Sequence, residues 1–194
     1  MALMTDRLFN VAFLEAVTEG RWELPGVGAW TVEPRHTLDF LGVNFYGRQF
    51  IRWVPWLKGW PAQACDLGHH RREVSERTSL GWDAHPDALF EVLMRLSALK
   101  RPLIITENGT YMTDDAHRWR YIQGHLRVLA DAMKAGAPVK GYCYWSLLDN
   151  FEWAEGYGPR FGLIEVDYAT QERRVRESAR RYAEICRTNQ MTTL

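Results

Sequence analysis

The chain has 194 residues, 46% of them hydrophobic and 25% charged, and its 24 Lys and Arg balance 24 Asp and Glu. This is the composition of one folded unit, and the even balance without a basic run excludes the electrostatic footprint of a nucleic-acid or anionic-membrane binder. No apolar run approaches the roughly 20 residues a membrane helix needs, the start MALMTDRLFN lacks the regions of a secretory leader, and Cys65, Cys143 and Cys186 are scattered, which together point to a reducing, cytoplasmic setting.

In chain order, Thr5 is expected to cap a helix with Phe9, Ala12, Phe13, Ala16 and Val17 on one face, closed near Gly20. Thr37 to Tyr46, TLDFLGVNFY, reads as a strand. The next stretch, Gly47 to Pro86, far exceeds the usual βα loop of about 2–6 residues. It contains Trp53, Trp56, Trp60 and Trp82, which predicts a folded rim over a crevice. Its Cys65 and the adjacent His69 and His70 lack the ligand spacing of a closed metal site, so no metal and no other cofactor is expected. Asp87 opens a second helix with Phe90, Leu93, Leu96 and Leu99 at helical spacing. Pro102 to Ile105 follows as a short, fully buried parallel strand, closed by Asn108-Gly109 and carrying Glu107 at its C-terminal end.

Asp114 or Asp115 opens a third helix, striped by Trp119, Ile122, Leu126, Leu129 and Met133 and ended by Gly136 and Pro138. Val139 to Leu148, VKGYCYWSLL, is the third strand, and a helix from about Glu177 to Arg187 closes the chain. Strands alternating with crossover helices are parallel, so the class is α/β, with residues 1–194 as one segment and neither repeat nor linker.

The C-terminal ends of α/β strands face the ligand crevice. Here they offer Asn44 and Tyr46, then Glu107, then Trp145, Asp149, Asn150, Glu152 and Trp153. Each has a structural reading by itself: Glu107 as an acceptor for turn amides, Trp145 as core, Tyr46 as a loop anchor, Glu152 as a turn cap. Together, carboxylates and amides beside flat Trp faces suit sugar hydroxyls and the C–H faces of sugar rings.

LDFLGVNFYG, PLIITENGT and GYCYWSLLDNFEWAEGYGPRFGL resemble the C-terminal strands of glycoside hydrolase family 1, the retaining β-glucosidases and β-galactosidases built on a TIM (β/α)8 barrel. The resemblance runs through nearly the whole chain, with TENG and WSLLDNFEW in order. It implies Glu107 as catalytic nucleophile, positioned by Tyr46. Trp145 would stack under the sugar, Glu152 and Trp153 would bind its hydroxyls, Phe161 would close the far wall, and Asn44 would hold the surroundings of the nucleophile. Trp53, Trp56 and Trp60 would stand at the aglycone entrance. Arg176, where the family often has Lys, is expected to be tolerated on an outer helix.

A retaining glycosidase needs a second carboxyl group, which the family supplies from an Asn-Glu-Pro motif after its fourth strand. This sequence contains no Asn-Glu, and Glu33-Pro34 precedes the first strand rather than following one. By this count the chain carries about strands 6 to 8 of the barrel, which three strands cannot close. The expected partner is a separate chain with the first five strands and the acid, giving a heteromer that hydrolyses terminal β-linked sugars. A non-catalytic sugar-binding or regulatory module, and a homodimer of two such pieces, are the alternatives.

Overall fold

The computed structural model describes residues 2–24, 26–33, 37–57, 62–65 and 77–191. Trp60, His69, His70 and Pro34 lie outside the described residues. The chain begins with helix α1 (Ala2–Asp6), passes through a π turn (Arg7–Val11) into α2 (Ala12–Glu19), and stops where Gly20 turns left-handed at φ 68°. Thr5 therefore lies inside α1 instead of capping it. The π turn, with its i→i+5 spacing, shifts the helical phase. Only Ala12 and Ala16 of the expected stripe are buried, while Phe9 is 74% and Phe13 56% exposed.

A hairpin of β1 (Arg21–Leu24) and β2 (Gly28–Thr31) follows, unforeseen in the sequence although Gly26, at φ 76°, marks its turn. Strand β3 is limited to Leu41–Asn44, shorter than the Thr37–Tyr46 run. The long connection is partly folded, with β4 (Phe50–Trp53) paired antiparallel to β5 (Ala62–Cys65) and Arg48 bridged to Asp83. Helix α3 (Pro86–Ser97) starts on a proline whose missing N–H costs nothing in a first turn, so Asp87 sits in that turn rather than at the cap. Strand β6 spans Leu103–Asn108 and thus contains Glu107. Helix α4 (Asp115–Lys134) is capped by Asp114, whose carboxylate accepts from the Ala116 amide at 3.0 Å.

The third parallel strand, β7 (Val139–Tyr144), ends before the expected Leu148. A short hairpin of β8 (Ile164–Val166) and β9 (Arg173–Val175) precedes α5 (Glu177–Thr188). β3, β6 and β7 form a parallel sheet in that order, joined by the crossovers α3 and α4.

Alternation along the strands decides what the sheet buries. Leu41, Val43, Leu103, Ile105 and Val139 point into a core completed by Leu89 and Leu93 of α3 and Leu129 and Ala132 of α4. Met133, the last member of the α4 stripe, is 49% exposed. On the opposite face Gly42, Asn44, Thr106 and Cys143 are exposed, so β6 is buried on one face only and not on both as its apolar run suggested.

Below the strand ends the core is polar. His125 is fully buried; its Nδ1 lies 2.8 Å from the Tyr121 carbonyl, which only accepts, so Nδ1 carries the proton and the buried Nε2 has no partner. Burial holds this imidazole down from 6.5 to about 4. The unfolded chain takes up its proton near the ordinary value and the native chain only near the depressed one. Stability is thus complete above pH 6.5 and is lost as pH falls through that window. Replacing His125 by Asn, which keeps a donor but does not titrate, is expected to remove up to about 3 kcal/mol of this acid-side loss. Urea unfolding at pH 7 and pH 4.5 measures it; equal pH slopes for both proteins would refute the assignment.

Candidate active site

Main-chain bonds bring three strand ends together. The Phe45 amide donates to the Glu107 carbonyl at 2.8 Å and the Trp145 amide to the Asn108 carbonyl at 3.0 Å. The Glu-Asn-Gly sequence has a separate physical reason at each position. Asn108 is fully buried, donating from Nδ2 to the Phe45 carbonyl (2.7 Å) and the Tyr121 hydroxyl (3.0 Å) and accepting from the Tyr142 hydroxyl (2.7 Å). Gly109 is required because a Cβ there would stand 1.7 Å from the Trp145 carbonyl oxygen. Glu107, next to the buried Asn108, remains half-buried at the strand end.

The Tyr46 hydroxyl donates to Glu107 Oε2. Burial, followed by the hydrogen bond and negative charge of Glu107, pushes the Tyr46 hydroxyl well above the usual tyrosine value. It therefore stays protonated and remains a donor, and its bond orients the Glu107 side chain. From the far side, Trp145 Nε1 donates to Glu152 Oε1 at 3.3 Å. Glu152 is fixed by its own amide, which donates to Gly156 at 2.8 Å across the turn holding Trp153, a side chain 83% exposed. Phe161 is buried, its ring edge-on to Tyr46 with centroids 6.4 Å apart.

Other expected residues divide differently. Asn44 accepts from the Thr106 hydroxyl at 2.6 Å on the exposed face of the sheet. Asp149 is a structural hub: buried, it accepts from the amides of Gly162 (2.9 Å) and Val166 (3.2 Å) and from Arg176 (3.0 Å). Arg176 consequently is not an exposed outer-helix residue, since it stands just before α5 and also donates to the Gly162 carbonyl at 3.0 Å. Asn150 accepts from Ser146 and, through its carbonyl, from the Tyr168 hydroxyl. Trp53 and Trp56 are 63% and 82% exposed.

Trp82, expected from the sequence only as part of the rim over the crevice, stands directly beside Tyr46 and Phe161. Its ring packs edge-on to Tyr46 at 6.2 Å and against Phe161 at 6.3 Å, yet 44% of it remains open. Its neighbour Asp83, fully buried and paired with Arg48 at 2.7 Å, pins the adjoining backbone, which no local sequence pattern announces. The arrangement offers one tyrosine-held carboxylate, an indole tied to a second carboxylate and an aromatic wall. Among the described residues no three His, Cys, Asp or Glu side chains are grouped to hold a metal, and no helix is long and apolar enough to cross a membrane.

Residues 31–191 match the sequence profile of Glycosyl hydrolase family 1. The chain is 33% identical over 171 residues to a 1,4-beta-D-glucan glucohydrolase of Thermotoga neapolitana, covering 82% of this chain and 37% of that protein. It is 32% identical over 192 residues to a beta-galactosidase of Sulfolobus acidocaldarius, covering 96% and 38%. The solved beta-glycosidase from Pyrococcus horikoshii superposes with a TM-score of 0.88 at 38% identity over 99% of this chain and 44% of that one. The chain thus spans less than half the length of these relatives, and its parallel sheet corresponds to part of their (β/α)8 barrel. With the family profile running from the end of β2 to just past α5, the chain belongs to glycosyl hydrolase family 1.

Proposed function

We propose that this chain is the nucleophile-bearing part of a retaining β-glycosidase, corresponding to about strands 6 to 8 of the barrel, and that a complementary segment carries the other five strands and the acid/base carboxyl group. The observation that carries the reading is the Tyr46 hydroxyl on Glu107, at the ends of adjacent parallel strands, with the Trp145–Glu152 pair on the next.

In this reaction the Glu107 carboxylate attacks the anomeric carbon while the bond to the leaving oxygen breaks and the partner's acid protonates that oxygen. Tyr46 keeps one carboxylate oxygen fixed so that the other meets the sugar. Trp145 supplies the flat face under the ring, Glu152 and Trp153 receive its hydroxyls, and Phe161 limits the pocket. Asn44 belongs to the substrate side, lying on the face that the barrel interior would occupy. Water, deprotonated by the same partner group, then opens the glycosyl ester and frees Glu107.

The need for a complementary segment is supported by a sheet with one open face and two edges, β3 and β7, that have no second neighbour strand among the described residues. Phe9 and Phe13 in the N-terminal helical segment add exposed apolar area of the kind a partner covers. A sugar-binding module is the second reading, favoured by the lack of any Asn-Glu in the sequence.

Joined to the missing strands, the protein is expected to release its sugar first as the β anomer, because two displacements restore the configuration. Proton NMR of an aryl β-glycoside digest distinguishes the outcomes. First release of the α anomer would overturn the retaining mechanism; bound but uncleaved substrate would favour the module.

A further inference from the structure

Arg118 lies in the first turns of α4 and is 1% exposed, and the glycoside chemistry above gives it no task. A guanidinium loses its hydration on burial, so polar atoms must replace the water. Here they are main-chain carbonyls. Nη1 donates to Thr110 (2.9 Å) and Phe161 (3.0 Å), and Nη2 donates to Met112 (3.0 Å) and Arg160 (2.9 Å). The Tyr144 hydroxyl lies 3.3 Å from Nη1. Asp115 stands 3.3 Å from Nε as countercharge, without the alignment of a hydrogen bond, and is itself held by the Ser178 amide (2.8 Å) and hydroxyl (2.6 Å).

The four carbonyls come from two loops. Thr110 and Met112 follow β6, the strand of Glu107, whereas Arg160 and Phe161 belong to the segment between β7 and β8. Each arm of the guanidinium takes one carbonyl from each loop, so the planar fork ties both loops at two points. A lysine ammonium, a single nitrogen on a flexible stem, cannot reproduce that geometry. We propose that Arg118 is a positioning residue, setting the separation between the loop after the nucleophile and the Phe161 wall of the sugar site. This rests on the assignment of Glu107 as nucleophile.

The test compares wild type, Arg118→Lys and Arg118→Ala, each joined to the complementary strands and assayed on an aryl β-glycoside where circular dichroism shows it folded. Displacing the carboxylate from the sugar by about one ångström is expected to lower kcat by up to about 100-fold, with KM changing much less. Guanidinium ion added to Arg118→Ala is expected to restore kcat, and ammonium ion is not. A merely stabilising arginine would give the opposite pattern: folded Arg118→Lys with wild-type kcat, or guanidinium that raises the melting temperature and leaves kcat low. Either result overturns the proposal. If Arg118→Ala does not fold, Arg118→Lys alone decides. If folded wild type hydrolyses nothing, the glycosidase reading fails instead. Amide exchange at 110–113 and 160–162 then judges the clamp: faster in Arg118→Lys if it exists, unchanged if it does not.

Discussion

Glu107→Gly in the completed protein is expected to lower hydrolysis of an aryl β-glycoside by on the order of 10⁴–10⁶-fold, the scale on which a covalent hydrolase depends on its nucleophile. The remaining partner acid has nothing to act with, because the first bond to the anomeric carbon no longer forms. Glycine rather than alanine leaves room where the carboxylate stood, and the Tyr46 hydroxyl, which donates to Glu107, is then free to hold a small anion there. Azide should enter from that face and give the α-glycosyl azide in a single inverting step, provided the leaving group is activated. Chromatography and NMR of the product check both parts. Near-normal hydrolysis by Glu107→Gly would remove this residue from the chemistry, and a β-azide would place the attacking group on the other face.

The second large effect is the silence of the isolated chain. General acid assistance contributes typically about 10²–10⁴-fold, and the opposing carboxyl group is expected from strands this chain does not carry. Structure acts in the same direction, since the face bearing Gly42, Asn44, Thr106 and Cys143 is exposed and, among the described residues, β3 and β7 are edge strands. Assayed alone the chain should show no turnover above its Glu107→Gly variant, and should self-associate. Co-expression with a polypeptide bearing the remaining strands and an Asn-Glu-Pro glutamate should give a soluble complex with activity. Strong turnover by the lone chain, abolished by Glu107→Gly, would mean that an acid resides within these residues and would end the complementary-segment reading.

The legible parts of the fold were those with long periodicity. α3 and α4 announced themselves through apolar spacing, α4 also through the end signals Asp114 and Gly136, and β6 through its aliphatic run, while α5 was expected within a residue of its observed bounds. The three hairpins did not, because strands of three or four residues with patterns such as the fully exposed β9 carry no alternation to read. At the site, Glu107 was visible as a carboxylate at a strand end, but its bond to Tyr46 joins residues 61 positions apart, and only the motif resemblance suggested it. Arg118, Asp149 and Arg176 were opaque for a related reason. Their partners are largely carbonyls and amides of distant segments, groups that every residue possesses and that sequence therefore does not distinguish. Arg176 looked like a surface substitution only because its buried partner, Asp149, lies 27 residues away.

β6 is the central strand of its sheet, and this matters for the order in which the molecule comes apart. Thermal fraying begins where backbone groups lack strand partners, which among the described residues means the outer sides of β3 and β7. Glu107 is held from both sides within the chain, through its carbonyl to Phe45 and through the next carbonyl, of Asn108, to Trp145. Local opening at either border therefore reaches Glu107 last, and docking or loss of neighbouring strands disturbs its immediate setting least.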